Sequence, residues 1–192
     1  MRIATVERNT KETQIRVELC LDGGAVDIST GIGFFDHMLT AFARHGNFGL
    51  KVYASGDLEV DTHHTVEDTG IVLGMAFAEA LGDKSGIVRY GSFTVPMDES
   101  LAAVDLDISN RPFLVFNAYF DQERCGDYET ATTEEFWRAF AENAGITLHI
   151  NVPYGINAHH QIEAIFKAAA HALKAAVKEN EDGSVLSTKG VL

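Results

Sequence analysis

The sequence predicts an α+β fold made of two similar halves, and three observations carry that prediction. DHMLTAFARHGNFGLKV (36–52) lies over EEFWRAFAENAGITLHI (134–150), with Phe42 on Phe140, Ala43 on Ala141 and Leu50 on Leu148, an offset of 148 − 50 = 98. A His-His-x-x-Glu run occurs twice, as His63, His64, Glu67 and as His159, His160, Glu163, at an offset of 159 − 63 = 96. Alternating apolar stretches precede the helical stretch in both copies. The two offsets differ because one connection is shorter in the second copy. The halves are set at 1–92 and 93–192, sharing one compact unit.

In chain order, IRVELCL (15–21) alternates apolar and polar residues, as a half-buried strand does. FFDHMLTAFARHG (34–46) reads as a helix, with Asp36 near its start and Gly46 at its end. FGLKVYASG (48–56) is another strand, and HHTVEDTGIVLGMAFAEALG (63–82) has apolar residues at helical spacing and Gly82 as its stop. AAVDLDI (102–108) alternates like the first strand, and TQIRVELCLDGG (13–24) sits over ESLAAVDLDISN (99–110) on that pattern. HHQIEAIFKAAAHALKAAVKEN (159–180) is rich in the good helix formers Ala and Lys. Each half therefore runs strands, helix, strand, helix, with its helices on one face of a sheet.

The 28 acidic residues against 15 basic give a net charge of −13, which repels polyanions and attracts cations, so nucleic acid is excluded as a partner. Cys20 and Cys125 are too few for a disulfide framework and suit a reducing compartment. The start, MRIATVERNTKE, has no apolar core for a signal peptide, and the apolar stretch GIVLGMAFAEAL is too short for a bilayer. A cytoplasmic protein without a membrane partner is expected.

The chemistry lies in the histidines. On a helix, residues i and i+4 share a face, so His63 and Glu67 can meet one ion, as can His159 and Glu163. Adjacent histidines diverge by about 100° around the axis, which suits ligation of two different ions. One His-His pair at a helix start is ordinarily polar capping, but two copies in register are not explained that way. The repeat sets His37 opposite Glu135, so each half offers a further ligand. Eight groups result, four for each of two ions: His37, His63, His64, Glu67, Glu135, His159, His160 and Glu163. Imidazole with carboxylate suits Mn, Fe, Ni or Zn better than Mg or Ca. His149 is read as core or a residue behind the ligands, and His45 and His171 as helix-surface residues with no role. Arg89, Arg111, Lys167 and the STKG tail (187–190) together suit a phosphate.

The chain resembles imidazoleglycerol-phosphate dehydratases from end to end. The resemblance rests on NTKET (9–13), FFDHML (34–39), DTHHTVEDTGIVLG (61–74), GIVRYGSFTVPMDESL (86–101), LDISNRP (106–112), NAHHQIEAIFKA (157–168) and STKGVL (187–192). It implies a tandem repeat of a four-stranded sheet with two helices, resembling domain 2 of ribosomal protein S5. It also implies dehydration of imidazole glycerol phosphate to imidazole acetol phosphate in histidine biosynthesis, through a Mn-bound imidazolate. Two Mn ions per subunit are implied, built where subunits meet, with trimers assembling into a 24-subunit shell. The eight metal-ligand positions match the family pattern, except that Glu135 stands where the family often has histidine. Substrate and phosphate contacts are implied at Glu12, Arg89, Arg111, Lys167, Ser187 and Lys189. Proton transfer is implied at Glu12, with Glu67 or Glu163 as alternatives. Gly33 stands where the family commonly has proline. Two rival readings remain, a binuclear metallohydrolase acting on a phosphate ester and a non-catalytic metal-buffering protein.

Overall fold

The computed structural model describes residues 1–180, 183–190 and 192, so of the tail motif at 187–192 only position 191 lies outside it. The first half comprises β1 (Ile3–Asn9), β2 (Thr13–Cys20), β3 (Val26–Ser29), α1 (Gly33–Gly46), β4 (Gly49–Gly56) and α2 (His63–Leu81). The second comprises β5 (Tyr90–Met97), β6 (Ser100–Ile108), β7 (Phe113–Asn117), a short hairpin β8 (Arg124–Cys125) and β9 (Tyr128–Glu129), α3 (Thr132–Ala144), β10 (Ile146–Tyr154) and α4 (Ala158–Ala176).

Alternation decides how the strands face. Thr13, Ile15, Val17 and Leu19 of β2 are buried, while Gln14 and Arg16 between them are exposed. The sheets run β1-β2-β4-β3 and β5-β6-β10-β7, the same order in both halves. In each, the last pair is parallel, β3 with β4 and β7 with β10. A parallel pair needs a long crossover, which α1 and α3 supply.

The helices pack across the halves, α1 against α4 and α2 against α3. Both pairs run parallel: His37 meets Glu163 and His45 meets His171 at the same separation of 126 residues. Gly70 and Gly74 let α2 touch the α3 backbone, since a Cβ on them would lie 2.6 Å from the Phe136 carbonyl and 2.7 Å from that of Phe140. Between the helices lies an aromatic core in which Phe35, Phe42, Phe77, Phe136, Trp137, Phe140 and Phe166 are fully buried. Asp36 pins the turn into α1 by accepting from the Thr30 N–H at 2.8 Å and its hydroxyl at 2.6 Å.

The expected halves of four strands and two helices are present, although the division set at residue 92 falls inside β5 (Tyr90–Met97), and there are three further differences of detail. First, the β2 and β6 alignment expected at an offset of 86 is at 87: Val17 pairs with Val52 and Val104 with Ile150, and those partners are 98 apart, as the repeat requires. A slip of one residue exchanges the two faces of a strand, so the expected overlay put buried residues on outward ones. Second, α4 stops at Ala176 instead of continuing to residue 180. Beyond it the backbone bonds to the chain before β5, through Val88 N to Lys178 O and Asn180 N to Gly86 O, both 2.8 Å. Third, the hairpin β8–β9 has no counterpart in the first half.

Candidate functional site

At the N-terminal ends of α1 and α4, His37, His159 and Glu163 gather with one ligand atom each within 4.8 Å of one another. His37 Nε2 lies 3.3 Å and His159 Nε2 3.1 Å from the same Glu163 oxygen. The other oxygen takes the Lys167 ammonium at 2.7 Å. Burial opposes the Glu163 charge, but Lys167 and His37 outweigh it and hold the carboxyl below the usual range. Asn157 places the first of these ligands on α4, its side chain capping the helix by accepting from His159 N at 2.9 Å. Two imidazoles and a buried carboxylate are a donor set that fits a first-row transition-metal ion.

The first half carries part of the same arrangement. His63 Nε2 lies 3.3 Å from Glu67, much as His159 Nε2 lies 3.1 Å from Glu163. Glu135, opposite His37 in the repeat, is instead 3.6 Å from Arg138 in its own helix. It lines a separate open pocket with Tyr119, Phe120 and Glu134. Among the described residues, the three-residue cluster is therefore complete on one side only.

The second histidine of each pair goes elsewhere, as the helical divergence of adjacent residues requires. His64 Nδ1 shares a hydrogen bond with Asp57 at 3.0 Å, and Glu12 stands 4.0 Å away. His160 Nδ1 bonds to Glu99 at 2.8 Å, and its Nε2 lies 3.6 Å from Asp98. These hydrogen bonds raise both histidines above their ordinary pKa. Glu99 is held well below the carboxylate range, first by the Asn157 backbone N–H and then by His160. Sequence reasoning missed Asp57, Asp98 and Glu99. The corrected strand register is the signal that finds Glu99, because an offset of 87 sets it in the position of Glu12.

A pocket of about 880 Å³ opens where the C-terminal segment crosses the end of β5 and β6. Arg89, Arg111, Ser187 and Lys189 line it. Lys167, expected beside them, is not among its lining residues and lies on Glu163 instead. Two other histidine expectations are corrected. His149 is exposed on the outer face of β10, outside the core. His45 and His171 are half-buried and face each other across α1 and α4 at 3.2 Å, with His171 stacked on Phe93.

Residues 30–173 match the imidazoleglycerol-phosphate dehydratase family. The chain belongs to that family. It is 60% identical over the full length of both chains to the imidazoleglycerol-phosphate dehydratase of Caldanaerobacter subterraneus subsp. tengcongensis. With that of Clostridioides difficile, again over both full lengths, the identity is 58%. The crystal structure of the Staphylococcus aureus dehydratase superposes with a TM-score of 0.85 at 43% identity, covering 93% of this chain and 99% of that one. The Pyrococcus furiosus structure gives a TM-score of 0.86 at 40% identity, covering 97% and 100%.

Proposed function

We propose that this protein dehydrates imidazole glycerol phosphate to imidazole acetol phosphate, in histidine biosynthesis, with two Mn ions per subunit. The observation that carries the reading is the meeting of His37, His159 and Lys167 on the buried carboxylate of Glu163. His37, His159 and Glu163 would hold one ion, and His63, Glu67 and Glu135 the second, with His64 and His160 completing the two sets. Mn held there would supply Lewis acidity that acidifies the substrate imidazole.

The chain's own residues orient the substrate and move its protons. Arg89, Arg111, Ser187 and Lys189 take the phosphate through charge-assisted hydrogen bonds. The hydroxyl leaves from the carbon bearing the ring and a proton from the next carbon, so water and an enol form, and the enol becomes the ketone. A carboxylate must accept that carbon-bound proton. Glu163 is enclosed by Lys167, His37 and His159, and Glu67 faces His63. Glu12 is exposed in the turn between β1 and β2, 4.0 Å from His64, and is assigned the proton.

The separation of the two parts of the site supports assembly. Tyr90 pairs with Asp107, the partner of Arg89, at one end of the β5–β6 hairpin, and Met97 pairs with Ser100, beside Glu99 and His160, at the other. Seven residues of strand span about 23 Å, farther than one three-carbon phosphate ester of imidazole reaches. Phosphate and ring are then held by different copies of the chain, in keeping with trimers joined into a 24-subunit shell. Among the described residues no helix is long and apolar enough to cross a membrane, and a cytoplasmic location accords with the role.

The test is to strip metal with a chelator, restore Mn, and follow imidazole acetol phosphate formation and particle mass. Turnover should vanish and return, and mass should rise with Mn. Full turnover in the stripped protein overturns the reading. Release of inorganic phosphate without the ketone replaces it with the metallohydrolase.

A further inference from the structure

We propose that Asp107 is the positioning residue of the anion pocket, fixing the Arg89 and Arg111 guanidinium groups as a preformed pair. The inference rests on the phosphate reading of that pocket. Asp107 Oδ1 accepts from Arg89 Nε at 2.6 Å, and Oδ2 accepts from Arg89 Nη2 at 3.0 Å, a bidentate contact. The same Oδ2 accepts from Arg111 Nη2 at 3.1 Å. One carboxylate thus joins a buried arginine to an exposed one.

Arg89 is built for this role. Its φ of 77° lies in the left-handed region, costly for a residue with a side chain. The conformation is kept by Arg89 N to Ala176 O at 2.8 Å and Ile108 N to Arg89 O at 3.1 Å. Its Nη1 donates to the Leu186 carbonyl at 2.5 Å, tying the C-terminal segment to the pocket. A guanidinium has five N–H donors. Three are donated in these contacts, which leaves two for an anion. The Asp107 contact also holds Arg89 above its already high pKa.

Charge alone makes the opposite prediction. Asp107 is an anion in contact with Arg89 and Arg111, two of the cations of the pocket that Lys189 also lines, so its removal makes the pocket more positive, and a purely coulombic site would then bind phosphate more tightly. A positioned site binds it more weakly, because Arg111 swings free and Arg89 loses two of its three fixed contacts. The sign of the change therefore separates the two accounts.

The experiment compares Asp107→Asn with the parent in the Mn-loaded protein. Readouts are inorganic phosphate binding by calorimetry, KM and kcat for imidazole glycerol phosphate, and Mn content. The expected result is about a tenfold rise in both phosphate Kd and KM, the scale of a lost charge-assisted hydrogen bond, with kcat within about threefold and Mn unchanged. Unchanged or tighter phosphate binding overturns the inference. If the Asn variant does not fold, Asp107→Glu keeps the charge and shifts the carboxylate by one methylene. It should raise KM, and parental KM and phosphate affinity in it overturn the inference. Arg111→Ala and Lys189→Ala separate the levels of the argument. If both bind phosphate like the parent, the phosphate reading itself fails. If both weaken binding while Asp107→Asn does not, only the role of Asp107 fails.

Discussion

Gly91→Ala tests whether the seat of α4 on its sheet holds the cluster together. A Cβ at Gly91 would lie 1.9 Å from the Ala172 carbonyl oxygen and 2.7 Å from its carbonyl carbon. Both are backbone atoms of α4, so no side chain can swing aside. An ordinary carbon–oxygen contact is about 3.3 Å, so α4 must recede by about 1.4 Å. Overpacking of this kind costs about 1–3 kcal/mol. For a chain of this size each kcal/mol lowers Tm by about 2–4 °C, giving a drop of about 2–12 °C. The same helix carries His159, His160, Glu163 and Lys167, so its recession should open the 3.3 Å contact of His37 with Glu163 and weaken metal binding. Melting of the metal-free protein and a Mn titration measure both effects. Gly33→Ala is the control, because nothing lies within 4 Å of a Cβ there and it should melt like the parent or slightly higher. A Gly91→Ala protein with parental melting and parental Mn affinity would refute the reasoning.

Two further perturbations address the groups along the α1–α4 seam. Glu163→Gln removes the carboxylate from His37 and His159 and leaves Lys167 without its anionic partner. It should destabilise the metal-free chain by about 1.5–3 kcal/mol in urea and lower bound Mn by elemental analysis; no change in either would count against the site. His45 and His171 have pKa values lowered by burial, and for His45 also by Lys167. A folded pKa below the unfolded value of about 6.5 means that the unfolded chain binds the proton more readily. This contribution is thus present above that pH and is lost as pH falls through the folded pKa. His171→Phe, which keeps a ring on Phe93, should lose less Tm than the parent between about pH 8 and about pH 5. Equal losses would show that the pair does not titrate in this way.

The duplication and the long helices were legible because their signals are local and repeated. The helical spacing of 159–176 and its recurrence at 63–81 depend on no distant contact. The register of β6 was harder, because Leu101 and Ala103 are only half-exposed on its outer face, so apolar residues stand on both sides and a one-residue slip leaves no trace in the pattern. Asp57, Glu99 and Asp107 were invisible among 28 acidic residues. Nothing local separates a carboxylate that orients a histidine or an arginine from a solvated one. Pairing decided two of them: Glu99 by the β5–β6 turn brought to α4, and Asp107 by Tyr90, its neighbour across the hairpin. The facing of His45 and His171 was in principle readable, since it keeps the separation of His37 from Glu163, but only once α1 and α4 are known to be parallel neighbours.

Glu135 is where the duplication makes its sharpest demand. His63 and Glu67 repeat the spacing and contact of His159 and Glu163, 3.3 Å against 3.1 Å. The third position is held by His37 in the one complete cluster among the described residues, and the repeat sets Glu135 opposite it. Helices α2 and α3 run side by side as α4 and α1 do, with Gly70 against Phe136 and Gly74 against Phe140, and Glu135 stands near the start of α3 as Glu67 stands near the start of α2. Its 3.6 Å contact with Arg138 is no obstacle, because the two side chains are 35% and 44% exposed and such a pair contributes at most about 1 kcal/mol. A divalent ion offers a carboxylate far more, and Mn accepts oxygen ligands readily. Glu135→Ala should therefore lose one of two Mn equivalents while His37, His159 and Glu163 keep the other. Glu135→His restores the donor type that His37 supplies and should keep both ions. Arg138→Ala, which frees the carboxylate, should leave the metal count unchanged. Two equivalents of Mn retained by Glu135→Ala in elemental analysis would remove Glu135 from the ligand set and break the equivalence of the two halves at the site.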